Sequence, residues 1–384
     1  MILKDPYQHL REQIRAVCAE FPDAYWRDLD ARRAYPEEFV RALTRAGWLS
    51  ALIPKTYGGL GLSLAEASVI LEEVNRCGGN AGPAHAQMYV MGTILRHASE
   101  EQRQRWLPPI ARGELRLQAF AITEPGAGSD TTRITTFAER QGDVYVVNGR
   151  KIYISRVLQS DLMLLLARTS PRSDQAHRAE GLSIFVVDLR QVGDALRVRP
   201  LRMLMNNHVN ELEFVNLRVP GENLVGEEGK GFRAVIDSWN AERILIAAEC
   251  VGDARWFVER ASRYASEREV FDRKLGENQS IQFAIASAYA QTEAADLMRF
   301  KAAALFDDGQ PCGPEANMAK LLASNASWAA ANACLDTFGG NGFNAEYDVE
   351  RKFRETRLYQ VAPISNNLIL GYLGNRVLGM PKSF

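Results

Sequence analysis

At 384 residues the chain is longer than the roughly 250 to 300 at which a single core stops growing, so two or three packed subdomains are expected. Its 46 Lys and Arg against 47 Asp and Glu leave a net charge of −1, which removes the electrostatic drive toward nucleic acid or acidic lipid and favours a small, local ligand. The five cysteines are scattered and form no CxxC pair, pointing to neither a disulfide framework nor a metal site; with no signal-peptide pattern after Met1 and no long uncharged apolar run, the chain reads as cytoplasmic and not membrane-bound.

Residues 8 to about 113 read as helices. Pro36 opens one, with Phe39, Leu43 and Trp48 near helical spacing. Ser63 with Glu66, and Ser99 with Gln102, form capping boxes ahead of apolar runs. From about 115 to 220 the period changes to short β-branched or apolar runs, at 143–148, 161–167 and 183–188, bounded by turns. The polar stretch from Ser170 to Glu180 reads as a solvated loop without function. Beyond 229, long amphipathic patterns return, including 281–305 and 315–335, until Gly339-Gly340. The expected division is a helical domain at 1–117, a β domain at 118–226 and a helical bundle at 227–384.

Within this frame the segment Thr123-Glu124-Pro125-Gly126-Ala127-Gly128-Ser129-Asp130 interrupts an apolar run. Its glycines are free to adopt positive φ and bring N–H groups together, and its hydroxyls can donate or accept, which suits a phosphate or the polar edge of a ring. A tight turn joining two strands is the alternative reading of the same eight residues. Likewise, Tyr153 and Ser155 read from alternation alone as a strand pair facing a core.

Several motifs in register resemble the acyl-CoA dehydrogenase flavoprotein family over almost the whole chain. They are the 123–130 loop, Asn148 to Ser155, Arg268-Glu269-Val270-Phe271, and Gly339 to Phe343 with Glu346-Tyr347, supported by Gly58 to Ser63, Gly92 to Glu101, and the passage from Val219-Pro220 to Gly231-Phe232. The resemblance implies an α+β multidomain fold: an N-terminal helical domain, a central β-barrel-like domain and a C-terminal four-helix bundle, assembled as a homotetramer with one FAD per subunit. It places Phe120, Ile122, Thr123, Gly128 and Ser129 along the flavin, with Ser129 also toward the CoA arm. Tyr153 stands where the family usually carries Trp against the flavin face, Ile154 follows it, and Ser155 matches the hydroxyl bonded to flavin N5. Arg268, Phe271, Asn278 and Gln279, with Gly339 and Gly340, correspond to residues at the adenine-diphosphate end in a neighbouring subunit. Asp272 and Lys274 depart from the usual Gly and Pro, and Asp336 from a usual amide. Ser365 and Asn367 complete the expected cofactor contacts.

The reaction implied is fatty-acid-type α,β-dehydrogenation of an acyl-CoA, which needs a base, a hydride acceptor and a donor to the thioester carbonyl. Many members carry the base near the C-terminus, at a position that aligns here with Pro363. Members of the isovaleryl and long-chain type carry it on a bundle helix just before an Arg, as in Ala241-Glu242-Arg243-Ile244. Glu242 is therefore the expected base, and its spacing from Trp239, Leu245 and Ile246 predicts that it leans on apolar surface, raising its pKa. The competing reading is a helical Glu paired with a neighbouring Arg. Pro363 also lacks the N–H that the family uses to hold the thioester oxygen, so Ile364 is the expected replacement donor. Met91, Leu95, Asn240 and Arg243 join Ser129 and Ile364 as expected substrate contacts, for a branched or longer acyl group. Electron-transfer flavoprotein is the implied acceptor. Rival functions on this fold are a carrier-protein thioester dehydrogenase, a thioester oxidase, a flavin monooxygenase, a DNA-binding flavoprotein and a silent binding protein.

Overall fold

In the computed structural model, which describes residues 5–172 and 178–382, the chain passes from helices to a sheet and back to helices. The first four residues and the centre of the Ser170–Glu180 stretch, 173–177, lie outside the described residues. Six helices come first: α1 (Gln8–Ala19), α2 (Asp23–Arg32), α3 (Glu37–Arg45), α4 (Leu64–Arg76), α5 (Gly82–His97) and α6 (Glu100–Ala111). Both capping boxes form. Ser63 accepts from the Glu66 N–H and Ser99 from the Gln102 N–H, while each N3 side chain reaches back to its cap, so α4 and α6 start where their hydroxyls satisfy otherwise unpaired donors.

The central sheet contains β1 (Leu117–Ala121), β2 (Phe137–Gln141), β3 (Val144–Ser155), β4 (Leu162–Arg168), β5 (Leu182–Asp188), β6 (Leu196–Pro200), β7 (Val209–Pro220) and β8 (Leu224–Val225). Its order is β6-β7-β3-β2-β4-β5-β8, with β1 parallel to β4. All seven residues of β4 are buried, as expected of a strand covered on both faces. Leu162, Leu164 and Leu166 pack toward α5 and α6, whereas Met163, Leu165 and Ala167 pack with Phe185 and Phe214 inside the sheet's curve. The pairing of β2 to β4 is confined to Phe137 and Arg168, so the two halves of the sheet join at one point.

Long helices follow: α7 (Gly231–Glu267), a short hairpin of β9 (Glu269–Val270) and β10 (Arg273–Lys274), α8 (Gln279–Asp307) and α9 (Gly313–Phe338), then the shorter α10 (Val349–Arg357) and α11 (Asn366–Tyr372). Among the described residues no helix is long and apolar enough to cross a membrane. One hydrophobic cluster runs through α4, α7, α8 and α9, so the N-terminal helices and the bundle share a core. Where α4 crosses α7 the backbones are so close that a Cβ on Gly252 would lie 2.2 Å from the Glu72 carbonyl oxygen. The same crossing buries an ion cluster. Glu72 accepts from Arg11 at 2.8 Å, from Arg299 at 2.9 Å and from Arg255, tying α1, α4, α7 and α8 together. Burial pushes the Glu72 carboxyl up, but these three cations outweigh it and hold it at about 2.

Candidate active site

The 123–130 segment is both a tight turn and an open surface. Glu124 and Ala127 exchange backbone hydrogen bonds at 3.1 and 3.0 Å, with Pro125 next to Glu124 as a turn of this kind favours. Contrary to expectation, Gly126 and Gly128 do not occupy the left-handed region. Their contribution is bareness: a Cβ on either would meet nothing within 4 Å, so the loop offers exposed backbone. Ser129 is exposed, Thr123 and Ile122 are half-buried, and Phe120 is buried in the core behind them.

Two residues that the sequence reading passed over fix this loop from beneath. Glu124 turns inward and accepts from the Thr135 N–H at 2.6 Å, the Thr136 N–H at 2.9 Å and Lys151 Nζ at 2.9 Å. Lys151 also donates to the Ile122 carbonyl at 2.8 Å. Burial lowers Lys151 to about 8, with Glu124 opposing the fall; burial raises Glu124, but Lys151 and the threonine donors bring it below its ordinary value. Neither residue had a periodicity signal, because Lys151 is buried only by the turn folding over it.

Strand β3 breaks its alternation beside that turn. The register with β7 shifts between Lys151 and Ile154, and Tyr153 takes φ 61°, so its ring is 58 % exposed. The expectation of a core-facing pair fails for this reason: a bulge re-aims the side chain. The Ile152 N–H donates to the Thr123 carbonyl at 2.9 Å, which brings Tyr153 and Ser155 next to the loop, while Ile154 faces the core.

On α7, Glu242 is 7 % exposed and makes no hydrogen bond or ion pair with a described residue. It stands where the helix passes from the cluster containing Trp239 to the one containing Leu245 and Ile246. Burial raises its carboxyl to about 7, with His85 and Arg243 pulling down and Glu249 pushing up. The competing Glu–Arg pair does not form, since Arg243 donates instead to Asn240 at 3.1 Å and its Nε has no partner among the described residues. From α5, His85 Nδ1 lies 2.7 Å from Glu249 Oε1 without hydrogen-bond alignment, and Tyr359 donates to the other Glu249 oxygen at 2.7 Å. Met91 and Ile94, one turn apart on α5, are fully buried, whereas Leu95 keeps free surface.

The segment after Pro363 is held from α9. Lys320 Nζ donates to the Ile364 carbonyl at 2.7 Å and to Asn366 Oδ1 at 2.8 Å, and burial lowers this lysine to about 8. The Ile364 N–H donates to no described residue. Ser365 caps α11 by accepting from the Leu368 N–H at 3.3 Å, and Asn367 is exposed on that helix. Lys320 and Asn366 were not foreseen; a lysine inside a long helical pattern reads as a solvated cation.

An exposed aromatic and hydroxyl platform beside a bare turn, with an unpaired buried carboxyl on a bundle helix, is the arrangement on which comparison with known proteins bears. Residues 4–114, 119–217 and 229–376 match the N-terminal, middle and C-terminal domains of acyl-CoA dehydrogenase. The chain belongs to the acyl-CoA dehydrogenase family. It is 32 % identical to acyl-CoA dehydrogenase FadE12 of Mycobacterium tuberculosis over 98 % of its own length and 97 % of that protein's. Butyryl-CoA dehydrogenase from Megasphaera elsdenii superposes with a TM-score of 0.91 at 27 % identity, covering 98 % and 99 % of the two chains. A chain in the structure of the electron transferring flavoprotein of Acidaminococcus fermentans gives 0.90 at 27 %, covering 98 % of each.

Acyl-CoA dehydrogenases are oxidoreductases whose cofactor is FAD, and the donor set fits that group. The exposed Tyr153 ring, the Ser155 and Thr123 hydroxyls and the unobstructed backbone at Gly126 and Gly128 suit a flat polar ring system. The residues expected at the adenylate end lie elsewhere. Phe271 and Asp272 form the tip of the β9–β10 hairpin at φ 55° and 61°, leaving Phe271 93 % exposed, and Arg268 is an exposed residue between α7 and the hairpin instead of a helical cation. A two-residue hairpin turn of this kind ordinarily takes Asn-Gly, and a bulky residue there costs about 1–2 kcal/mol. Asn278 accepts from Arg273 at 2.5 Å, while Gln279, Asp336, Gly339 and Gly340 are exposed. Gly339, at φ 57°, ends α9. No hydrogen bond or ion pair among the described residues joins this group to the 123–130 loop.

Proposed function

We propose that this chain dehydrogenates an acyl-CoA thioester to the 2-enoyl-CoA, with Glu242 removing the α-proton. The observation that carries the reading is the state of Glu242: desolvated, unpaired and raised to about 7, it is poised to accept a proton near neutral pH and is not engaged in holding the fold. FAD, when bound, supplies the acceptor for the β-hydride. Thr123, Gly128, Ser129, Tyr153 and Ser155 would hold its ring, with Ser129 also toward the CoA arm. The Ile364 N–H, in a segment fixed by Lys320, would polarise the thioester carbonyl in place of the donor missing at Pro363. Arg268, Phe271, Asn278, Gln279, Asp336, Gly339 and Gly340 would meet the adenylate half from a neighbouring copy in a homotetramer; their exposure and separation from the loop support this. An electron-transfer flavoprotein would take up the electrons, a reading supported by the similarity to a chain in such a structure. Anaerobic flavin bleaching across a panel of acyl-CoA thioesters tests the proposal, with bleaching expected in the wild type and lost in Glu242→Gln. Product formation retained in that variant would refute it.

A further inference from the structure

The end of β3 delivers one more charge to the interior. Arg156 follows Ser155 at φ 58°, and it is 7 % exposed. Its Nη2 donates to Asn207 Oδ1 at 3.0 Å, and among the described residues its Nε has no partner and no carboxylate forms an ion pair with it. The guanidinium lies against the first residue of α5, where a Cβ on Gly82 would be 2.3 Å from Nη2. A cation at a helix N-terminus opposes the helix dipole, and a desolvated cation without a partner is unfavourable on its own. The nearby acids do not relieve it. Glu249 engages His85 and Tyr359, Asp30 is paired with Arg354, and Glu355 with Arg351 and Lys352.

This cation and the proposed base are both neighbours of α5, Arg156 against its first residue Gly82 and Glu242 within electrostatic reach of His85 one turn on. Tyr89, on α5, is within electrostatic reach of both Glu242 and Arg156, and its ring meets His85 edge-on at 5.2 Å. His85 Nε2 is also buried and without a partner among the described residues. Tyr89 is half-buried. Beside the guanidinium a cavity of about 30 Å³, bordered by Tyr35, Asn80, Pro83 and His208 and by the already paired Asp30 and Glu355, has room for a water molecule. A methyl-ended chain reaching this region would leave Arg156 unpaired, whereas a carboxylate can take two of its N–H groups in one plane.

We propose that Arg156 binds a carboxylate at the far end of the acyl group, making ω-carboxyacyl-CoA thioesters the preferred substrates, an inference that rests on the dehydrogenase reading for the orientation of the thioester. The test compares glutaryl-CoA and adipyl-CoA with pentanoyl-CoA and hexanoyl-CoA on the holoenzyme, by calorimetric binding and by anaerobic flavin bleaching, in wild type, Arg156→Gln and Arg156→Lys. The wild type is expected to bind the carboxylated thioesters at least about tenfold more tightly. Arg156→Gln should erase that preference and leave methyl-ended binding within about twofold, with Arg156→Lys in between. A purely structural arginine would instead weaken both classes together, and that result overturns the proposal. So does a wild type that binds the methyl-ended thioesters as well or better, a comparison that stands even if a variant fails to fold. Tight carboxyacyl binding without any bleaching would defeat the dehydrogenase reading and keep the Arg156 site; bleaching by methyl-ended thioesters with no carboxylate preference would do the reverse.

Discussion

Replacing Glu242 with Gln removes a titrating group and keeps its shape, so catalysis and stability should both respond, in opposite directions. The rise from 4.5 to about 7 is caused first by burial, and at about 1.4 kcal/mol per pKa unit it corresponds to roughly 3 kcal/mol between the two protonation states. Because the folded-state pKa is raised, the folded protein holds this proton more tightly than the unfolded chain does. The stabilisation is fully present below pH 4.5 and is lost as pH rises through 7. Between pH 5 and pH 8 the wild type should lose about 2.5 kcal/mol from this group, and the glutamine variant none. For a chain of this size that is a relative gain of about 3 °C in Tm for the variant at pH 8 compared with pH 5. Calorimetric unfolding of both proteins across that range measures it. Flavin bleaching by substrate should fall at least about a hundredfold in the variant, and wild-type kcat/KM should decline below pH 7 as the base becomes protonated. Parallel Tm profiles for the two proteins would refute the buried, titrating carboxyl.

Phe271→Ala removes a ring that is 93 % exposed, so Tm of the apoprotein should change by less than about 0.5 kcal/mol equivalent while FAD affinity falls; equilibrium dialysis of FAD against the apoprotein separates the two, and unchanged affinity would count against a cofactor contact. Lys151→Met leaves Glu124 as a buried carboxylate without its cation, which should cost about 3–5 kcal/mol in chemical denaturation and loosen the 123–130 turn, seen as reduced FAD retention on gel filtration. Gly252→Ala forces a methyl to 2.2 Å from the Glu72 carbonyl, backbone that no rotamer change can clear. It should destabilise by about 1–3 kcal/mol, and a Tm equal to wild type would mean that α4 and α7 sit farther apart than described.

Local chemistry in the sequence sufficed wherever a feature depended on neighbours in the chain. The capping boxes at Ser63 and Ser99, the long helical periods ahead of Gly339 and the short apolar runs of β4 and β5 all formed as read, because caps and alternation act within a few residues. The 123–130 segment was legible as a turn, and the turn forms with its glycine backbone left bare. The sequence also offered Glu242 as a carboxylate on an apolar helical face. What it left undecided was whether Arg243 would neutralise it, since helical spacing identifies a face and not what packs against that face. The packing of α7 against α5 decided this, burying Glu242 within electrostatic reach of Tyr89 and His85 while Arg243 turned to Asn240. Alternation alone would have put Tyr153 in a core because a bulge is a property of two strands in register, and the burial of Lys151, Lys320 and Arg156 was not legible because only tertiary packing could remove their solvent. Sequence by itself determined the elements, the family and the candidate base; tertiary structure decided which charges are buried and unpaired, because desolvation depends on what distant segments bring to the same place.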